Sequence, residues 1–548
     1  MNAVRSSQAE REELLFICSD SGSNLLVLED LDTFNKLKPR LGDLPIQAVI
    51  LLSDQPIVGE SNWQVLNFQQ LMDLGASRPF QPVTLSSEQL ATLIYTSGTT
   101  GKPKGVMLSH GNLLHQVTTL GVVVQPQPGN RVLSILPTWH SFERSVEYFL
   151  LSQGCTQVYT NLRQVKRDLK TFQPSYMVAV PRLWESIYEG VQKQLREQSP
   201  QQQLLVKTLI GISQQYVAAR RIAEGLDIKH LRPSLGQEWW ARLTALVLSP
   251  LHALADQLIY RKIREGTGGQ LKQVISGGGS LAMHLEMFYE IVGIQILVGY
   301  GLTETSPVTN ARRPERNLRG SSGQPVPGTE IRIIDPESRQ PLPQGQRGLV
   351  LIRGPQVMRG YYQNPQATAK AIDAEGWFDS GDLGWVTAEN HLVLTGRAKD
   401  TIVLTNGENI EPQPIEDACL RSPYIAQIVL VGQDQRSLGA LIVPNLEVLQ
   451  TWAHSQQLHL QLPQAPDQPP SQKRSLTLES PEVMDLFRKE LNREVQNRPS
   501  YRPDDRVGPF RLLSEPFTME NGLMTQTLKV RRSVVMERYQ GIINELFT

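Results

Sequence analysis

Short apolar runs separated by turn residues dominate the first part of the chain. Three of them, Leu14–Ile17, Leu25–Leu28 and Ala48–Leu52, precede two more, Leu90–Tyr95 and Val106–Leu108, which flank a polar glycine-rich segment. Runs of this length bounded by turn residues are typical of buried strands in a parallel sheet. This part of the chain is therefore predicted to be α/β, with these runs as strands.

The hydrophobic pattern changes twice farther along the chain. Residues 185–265 are rich in Gln, Arg, Leu and Ala at helical spacing, and few glycines interrupt them. This spacing predicts helices. After Gly328 the chain is rich in turns, and alternating segments such as Glu330–Asp335 and Gly348–Gly354 predict a β-barrel-like or antiparallel module.

Length and composition narrow the class of protein. With 548 residues the chain is longer than one core normally organises, so at least two domains are expected. It has 54 basic and 54 acidic side chains, which gives no sign of a nucleic-acid partner. The three cysteines, Cys18, Cys155 and Cys419, are far apart, which excludes a disulfide framework and a CxxC metal site.

The apolar segments do not predict a secreted or membrane-spanning protein. The N-terminus lacks an apolar core of the signal-peptide type. No run of about eighteen apolar residues occurs, and the nearest, Ala245–Leu258, is interrupted by polar residues and a proline. We therefore expect a cytoplasmic protein that does not cross a membrane.

The glycine-rich segment Tyr95–Gly105 contains three glycines, four Ser or Thr residues and two lysines. Glycines let a backbone approach a ligand, hydroxyls add donors, and lysines supply charge, which together indicate polyphosphate binding. A flexible linker is the alternative, but the flanking apolar strands argue against it. The GxxxxGK[ST] P-loop is excluded because only two residues separate Gly98 from Gly101 and because Pro103 follows the lysine.

All eleven positions of this segment match YTSGTTGxPKG, the phosphate signature of the AMP-forming adenylating superfamily of acyl-CoA synthetases, luciferases and adenylation domains. The resemblance implies ATP and Mg²⁺ as cofactors. It also implies an α/β fold with a large N-terminal adenylating domain at 1–397, containing a β-barrel-like subdomain, and a small mobile α+β domain at 398–548. The phosphate-binding residues that it predicts are Thr96, Ser97, Gly98, Thr99, Thr100, Gly101 and Lys104.

Two strand-and-glycine motifs follow in the middle of the chain. Glycines after Val274–Ser276 allow a flat adenine ring to lie against the backbone. In the second motif the tyrosine can stack on adenine, Thr303 can donate to the α-phosphate or the substrate carboxylate, and Glu304 can hold Mg²⁺ through hard oxygen ligands. The resemblance assigns the same roles. The nucleotide-binding residues predicted here are Gly277, Gly278, Gly279, Tyr300 and Gly301.

Two more motifs extend the predicted site. Trp139 and His140 resemble the substrate-proximal motif of the long-chain branch, which places Trp139 at the mouth of an acyl channel and His140 near the carboxylate; an ordinary core pair is the alternative. Asp382, in a tight Gly-Asp turn, can accept hydrogen bonds from both ribose hydroxyls. By resemblance, Arg397 contacts the same sugar.

The C-terminal motifs resemble the moving part of the family. The family hinge falls at Lys399, and Gly407 is predicted to line the tunnel for the thiol after the domain rotates. Near the end, the segment Thr525–Arg532 resembles the family's catalytic-lysine motif, with a leucine where glycine usually precedes the lysine. This singles out Lys529 as the charge that meets the α-phosphate and carboxylate oxygens.

The resemblance also implies the reaction. The motif after Trp139, the helical insertion and the C-terminal motif are similar to the long-chain branch, and within it to the cyanobacterial acyl-acyl-carrier-protein synthetases. The expected substrates are a long-chain fatty acid, ATP and a phosphopantetheine thiol on holo acyl carrier protein or CoA. A basic surface would favour the acidic carrier protein, with Arg531, Arg532 and Arg538 as candidates.

Two alternatives remain open at this point, and a third is disfavoured. Only 94 residues precede the phosphate signature, fewer than in typical members, so the usual N-terminal part is expected to be missing and the chain could be an inactive nucleotide-binding remnant. A peptide-synthetase adenylation domain needs an acidic residue for an amino group, which Trp139–His140 does not offer. The segment around Trp239 and Trp240 is either a peripheral membrane contact or an ordinary buried helix pair.

Overall fold

The computed structural model describes residues 1–6, 9–56, 63–78, 80–96, 103–460, 475–498, 501–525 and 528–548. These residues form mixed α/β layers, with a large N-terminal part followed by a smaller C-terminal one. The predicted fold class is confirmed at this level. All three cysteines are free and buried.

The first elements form a small parallel sheet covered by helices. After β1 (Asn2–Ala3), which belongs to another sheet, these elements are α1 (Arg11–Asp20), β2 (Leu25–Leu28), α2 (Leu31–Leu41), β3 (Ala48–Leu51), β4 (Gln64–Leu66) and α3 (Phe68–Ala76). Strands β2, β3 and β4 pair in parallel in this order, so the strand predictions at 25 and 48 hold.

The strand prediction for Leu14–Ile17 is wrong, because this run lies in helix α1. Leu15, Ile17 and Cys18 are buried there on one side of the helix. Periodicity cannot distinguish a four-residue apolar run in a strand from one in a helix. The acidic residues Glu12 and Glu13 in the first turn are a helix signal that favours the observed state.

A β-hairpin carries the two ends of the glycine-rich segment. Strands β5 (Leu90–Thr96) and β6 (Lys104–Ser109) pair antiparallel, β1 joins β5 in parallel, and α4 (His110–Thr119) follows. The register places Thr96 directly opposite Lys104. The predicted phosphate residues Ser97, Gly98, Thr99, Thr100 and Gly101 lie outside the described residues.

The largest sheet has seven strands in the order β13-β12-β11-β10-β9-β7-β8. Its elements are β7 (Arg131–Ser134), α5 (Ser141–Ser152), β8 (Thr156–Tyr159), α6 (Val165–Phe172), β9 (Tyr176–Ala179), α7 (Pro181–Arg196), α8 (Pro200–Ala223), α9 (Leu235–Ala255), α10 (Arg261–Gly266), β10 (Gln273–Ser276), α11 (Met283–Ile291), β11 (Gln295–Gly301), β12 (Val308–Ala311) and β13 (Gln324–Pro325). Strands β7 to β11 pair in parallel. The glycine motifs that end β10 and β11 therefore lie side by side, and ligands commonly bind at this edge.

The predicted helical region is confirmed as helices α7 to α10. Helices α8 and α9 begin with a serine cap followed by glutamine in a capping box, at Ser199 and Ser234. A π-helical turn at Asp256–Tyr260 joins α9 to α10. The resulting helix, Leu235–Gly266, is the one in the described chain that is long and apolar enough to cross a membrane by length and composition, although no uninterrupted apolar run exists there.

The turn-rich region forms a four-stranded antiparallel sheet, which is the antiparallel form of the predicted module. Its elements are β14 (Glu330–Ile334), β15 (Gly348–Arg353), α12 (Pro365–Ala371), β16 (Phe378–Val386) and β17 (Leu392–Arg397). The pairing of β16 with β17 sets Asp382 opposite Arg397.

The C-terminal part has its own hydrophobic core. Its elements are β18 (Ile402–Val403), β19 (Asn409–Ile410), α13 (Pro412–Cys419), β20 (Ile425–Val431), β21 (Leu438–Pro444), α14 (Leu446–Ser455), β22 (His459–Leu460), β23 (Ser475–Leu476), α15 (Pro481–Gln496), β24 (Val507–Leu512), α16 (Arg532–Arg538) and α17 (Gln540–Leu546). Leu430, Leu438, Ile442 and Phe487 are among its fully buried members.

Candidate active site

One cavity of about 400 Å³ brings together residues from the N-terminal part and the C-terminal tail. Its polar part is lined by Thr96, Lys104, His140, Ser141, Tyr300, Thr303, Glu304, Tyr361, Arg397, Lys399, Thr525 and Lys529. Its apolar part is lined by Leu120, Val123, Val124, Phe142, Val146, Phe149, Leu150, Tyr176, Val178 and Ile275. The continuity of the two parts means that one amphipathic molecule can occupy both.

A lysine, an aromatic ring and a carboxylate adjoin at the base of the phosphate hairpin. The ammonium nitrogen of Lys104 lies 5.1 Å from the centre of the Tyr361 ring. The Tyr361 hydroxyl donates a hydrogen bond of 2.9 Å to Glu304. Burial and the charge of Glu304 raise the pKa of Tyr361 well above its ordinary value, so its proton stays in place.

An aromatic ring, a carboxylate and a guanidinium form a second group. The Tyr300 hydroxyl donates to one oxygen of Asp382 over 2.6 Å, and Arg397 Nε donates to the other over 2.8 Å. Burial, with Asp382 close by, raises the pKa of Tyr300 well above its ordinary value. Asp382 and Arg397, the two residues predicted to hold the ribose, therefore contact each other. Tyr300, which is predicted to stack on the adenine, is hydrogen-bonded to Asp382.

The start of helix α5 places two polar side chains beside Thr303. The Ser141 hydroxyl donates to Thr303 Oγ1 over 3.3 Å. His140 caps the helix, and its Nδ1 accepts a hydrogen bond from the backbone N–H of Phe142 over 3.2 Å. Burial, together with the charges of Lys529 and Arg5, lowers the pKa of His140 to about 4. The ring is therefore neutral near pH 7, with its proton on Nε2.

The loop before helix α16 carries Lys529 into the same cavity. The Thr525 backbone N–H donates to the Lys529 carbonyl over 2.8 Å, and the Lys529 N–H donates to Thr525 Oγ1 over 3.1 Å. Leu528 stands in the left-handed backbone region, with φ of 59°. Burial and then the charge of Arg397 lower the pKa of Lys529 from its ordinary value.

The predicted glycines occupy different positions around the cavity. Gly277, Gly278 and Gly301 line it, whereas Gly279 is not among the lining residues and lies against Pro181. A Cβ on Gly301 would come within 1.8 Å of the Pro307 carbonyl oxygen, so the close approach of two backbones requires glycine there.

The predicted thiol-tunnel glycine lies outside the cavity lining. Gly407 is in the turn between β18 and β19, with φ of 83°. The C-terminal part instead contacts the N-terminal part beside the glycine motif, because Ser280 donates to Asp417 over 2.9 Å and Gln413 donates to Ser280 over 2.9 Å. In this arrangement Lys529, and not Gly407, is among the residues that line the cavity.

Four residues of the polar part, Ser141, Tyr361, Lys399 and Thr525, were not predicted to contact the ligand, and Trp139 lies outside the cavity lining. Tyr361 and Ser141 contact Glu304 and Thr303, but they are 57 and 162 residues away in the chain, so only the fold brings them together. Trp139 is not among the lining residues; it lies 4.6 Å from the Arg5 guanidinium and edge-on to His140. The sequence showed the motifs that contain these residues, but it did not show which residues they contact.

The described residues fit a magnesium ion that is held mainly by phosphate oxygens and water. No group of three or more His, Cys, Asp or Glu side chains suited to a metal exists in the described part of the chain. Glu304 is one carboxylate at the wall of the cavity that Thr96 and Lys104 also line. Mg²⁺ commonly takes one or two carboxylates plus substrate phosphates, so this donor set is sufficient.

Fold and site together define an adenylate-forming class of enzyme, and comparison with known proteins agrees. The AMP-binding enzyme family matches residues 3–362, and the AMP-binding enzyme C-terminal domain matches residues 399–464. The chain belongs to the AMP-binding enzyme family.

Particular relatives in this family are known. The chain is 41% identical to the probable acyl-activating enzyme 16, chloroplastic, of Arabidopsis thaliana, over 100% of this chain and 78% of the relative. It is 40% identical to the Arabidopsis long-chain-fatty-acid--[acyl-carrier-protein] ligase AEE15, chloroplastic, over 100% of this chain and 76% of the relative. It is 32% identical to the long-chain-fatty-acid--CoA ligase FadD15 of Mycobacterium tuberculosis, over 84% of this chain and 70% of the relative.

Solved structures share the fold at low sequence identity. ATP-bound MatB from Rhodopseudomonas palustris matches with a TM-score of 0.65 and 18% identity, over 98% of this chain and 84% of that one. The A-PCP didomain of a carboxylic acid reductase from Segniliparus rugosus, in complex with AMP, matches with a TM-score of 0.71 and 20% identity. The match covers 100% of this chain and 68% of that one. The arrangement of α/β layers is therefore one that adenylate-forming enzymes use.

Proposed function

We propose that this protein is an AMP-forming ligase that activates a long-chain fatty acid as an acyl-adenylate and transfers it to a phosphopantetheine thiol. The observation that carries the proposal is the single cavity that joins Lys529 and Thr303 to an apolar pocket. The carboxylate of a fatty acid fits the polar part of the cavity, and its hydrocarbon chain fits the apolar part. Two of the named relatives are ligases for long-chain fatty acids, which supports this substrate class.

In the first half-reaction a fatty-acid carboxylate oxygen attacks the α-phosphorus of ATP. The bond from that phosphorus to the oxygen bridging to the β-phosphorus breaks, and pyrophosphate leaves. Lys529 and the Thr303 hydroxyl offset the negative charge that builds on the α-phosphate oxygens. His140, neutral with a free Nε2–H, donates to the fatty-acid carboxylate and orients it without adding charge.

The nucleotide is held by the groups around the polar part. Asp382 and Arg397 take the ribose, Tyr300 packs on the adenine, and Lys104 with Thr96 takes the phosphates at the hairpin base. Glu304 would hold Mg²⁺, which when bound neutralises phosphate charge. Tyr361 keeps the Glu304 carboxylate in position through its hydrogen bond.

In the second half-reaction the thiol sulfur attacks the acyl carbonyl carbon, the thiol loses its proton, and AMP leaves with the mixed-anhydride oxygen. We propose that residues 398–548 rotate about Lys399 between the two steps, which withdraws Lys529 and brings Gly407 to the cavity. During this rotation the hydrogen bonds of Ser280 with helix α13 and the ion pairs Lys193–Glu447 and Arg347–Glu411 would have to be exchanged.

The acceptor is either acyl carrier protein or CoA, and relatives of both kinds are known. Two of the three predicted carrier-docking arginines are already paired within the chain. Arg532 pairs with Glu416, and Arg538 donates from Nη2 to both carboxylate oxygens of Glu515. These pairs weaken the case for a docking surface at this position.

Pyrophosphate exchange tests the proposal. The wild-type protein with palmitate or oleate should exchange labelled pyrophosphate into ATP, and Lys529→Ala should abolish exchange while retaining acyl transfer from preformed adenylate. Equal loss of both steps would refute domain rotation. Nucleotide binding without any exchange in the wild type would support the inactive remnant, against which the match of relatives along the full chain already argues.

We also propose that the enzyme works peripherally at a membrane surface, where long-chain fatty acids partition.

A further inference from the structure

Helix α9 exposes a continuous apolar stripe to solvent. Exposed large apolar residues recur along it at intervals of one, three and four positions, which keeps them on one side of the helix. The stripe continues to Leu258, and its first members are Leu235, Trp239, Trp240, Leu243, Leu246 and Val247. At 1.5 Å per residue it is about 35 Å long. Isolated apolar residues are common on surfaces, but a contiguous stripe of this size marks an interaction site.

The two adjacent tryptophans are the most informative members. Trp239 and Trp240 are each 72% exposed, although tryptophan has a large apolar surface that proteins normally bury. Tryptophan is enriched where a protein meets the headgroup layer of a membrane, because its ring is apolar while its N–H is polar.

Basic residues flank both ends of the stripe. Lys229 and Arg232 precede helix α9, and Arg261 and Lys262 follow its last apolar turn; all four are exposed. Glu238 pairs with Arg242, and Glu265 pairs with Arg261, so the net positive charge at the ends comes from Lys229, Arg232 and Lys262. An apolar stripe with cationic ends complements the charge of a bilayer that contains anionic lipids.

Helix α9 cannot leave helix α8 to cross a bilayer without losing buried polar contacts. The Tyr260 hydroxyl donates to Ser213 Oγ over 2.7 Å, and the Ser213 hydroxyl lies 3.0 Å from His252 Nδ1. Arg264, at the end of the same long helix, donates to the Val292 carbonyl over 2.7 Å. These contacts fix one side of α9 against the protein, so the exposed stripe can lie flat on a surface but cannot insert on all sides.

We propose that the exposed stripe of helix α9 docks the enzyme on the surface of an anionic lipid bilayer, with Trp239 and Trp240 at the headgroup level. The inference rests on the proposed function in one respect, namely that a bilayer holds the long-chain fatty acid that the enzyme consumes. The stripe would thus bring the enzyme to its substrate.

Vesicle sedimentation with the full-length protein tests this proposal. Wild type should sediment with vesicles of equal parts phosphatidylglycerol and phosphatidylcholine, and more weakly with phosphatidylcholine alone. The double variant W239S/W240S should lower the partition coefficient by about tenfold or more. The matched control F80S/L85S removes two other exposed apolar residues, Phe80 at 88% exposure, and should bind as wild type does. Equal binding of W239S/W240S and wild type would overturn the proposal.

Two further measurements separate other occupants of the stripe. Alkaline carbonate should release the protein from vesicles, and retention would mean insertion and overturn surface docking. Sedimentation velocity without vesicles should show no association that W239S/W240S abolishes; such association, with no vesicle binding, would assign the stripe to a second copy of the chain.

A measurement of enzyme activity distinguishes a failure of the docking proposal from a failure of the proposed ligase function. Pyrophosphate exchange with detergent-dispersed palmitate should be unchanged in W239S/W240S, because the stripe is not part of the cavity lining. Loss of vesicle binding with retained exchange supports both proposals. Absence of exchange in the wild type would refute the ligase function and leave the docking result to be judged on vesicle binding alone.

Discussion

Replacing Gly277 with alanine should narrow the passage between the two parts of the cavity. A Cβ at this position would lie 2.7 Å from Cζ and 2.9 Å from Cε1 of Phe142. Non-bonded carbon atoms prefer about 3.5–4.0 Å, so the ring must retreat by about 1 Å. Phe142 follows Ser141, which contacts Thr303, and it packs in the apolar cluster of the pocket. The clash therefore falls where the polar and apolar parts meet.

The energetic consequence follows from the packing around the ring. Phe142 is buried, and overpacking of a buried site typically costs about 1–3 kcal/mol. If this cost falls on the complex with a long acyl chain, kcat/KM for palmitate should decrease by about 5- to 150-fold. Butyrate, whose chain ends near the junction, should be affected less, and the KM for ATP should stay unchanged.

Pyrophosphate exchange with a series of saturated acids at saturating ATP measures this effect. Gly279→Ala is the matched control, because its Cβ would make only an ordinary contact of 3.5 Å with Pro181. In the Gly277→Ala background, Phe142→Leu should restore part of the palmitate activity by removing ring atoms from the clash. An equal loss for all chain lengths with a raised KM for ATP would refute the reasoning, and would mean that the added methyl group meets the adenine instead.

Three further predictions concern the metal, the domain contact and the lysine loop. Glu304→Gln should raise the Mg²⁺ concentration needed for half-maximal turnover, and an unchanged Mg²⁺ titration would mean that another ligand holds the ion. Burial raises the pKa of Asp417 from its ordinary value of 3.8 to about 7, although the hydrogen bond that Ser280 donates favours the ionised form. The packing that buries Asp417 is therefore most stable at low pH, loses stability progressively as pH rises towards about 7, and changes little above it; adenylation relative to thioester formation should fall up to about pH 7 and then level off in the wild type but not in Asp417→Asn. Leu528→Gly should raise the free energy of unfolding of the C-terminal part by up to about 1 kcal/mol, as measured by thermal unfolding. The left-handed conformation costs leucine about 1–2 kcal/mol, and the greater freedom of glycine in the unfolded chain cancels part of the gain from removing that cost. A destabilised variant would contradict this.

The local motifs were readable because their chemistry is contained in a few consecutive residues. The hairpin around Thr96 and Lys104, the strand that ends in Gly277 and the helical region from 185 all follow from turn residues and hydrophobic period. The strand prediction at Leu14 failed because four apolar residues do not define a period, and tertiary packing then selected a helix.

The sequence by itself determined the class of chemistry, since glycines, hydroxyls, an acid and lysines in those segments suit a nucleotide triphosphate. Only the tertiary structure decided that Tyr361 holds Glu304, that Asp382 joins Tyr300 to Arg397, and that Lys529 lines the same cavity as His140. These contacts join residues far apart in the chain, and their energies depend on distance and burial that no local pattern encodes. The same reason applies to the stripe of helix α9, where periodicity showed an apolar side but only packing revealed that nothing in the described chain covers it.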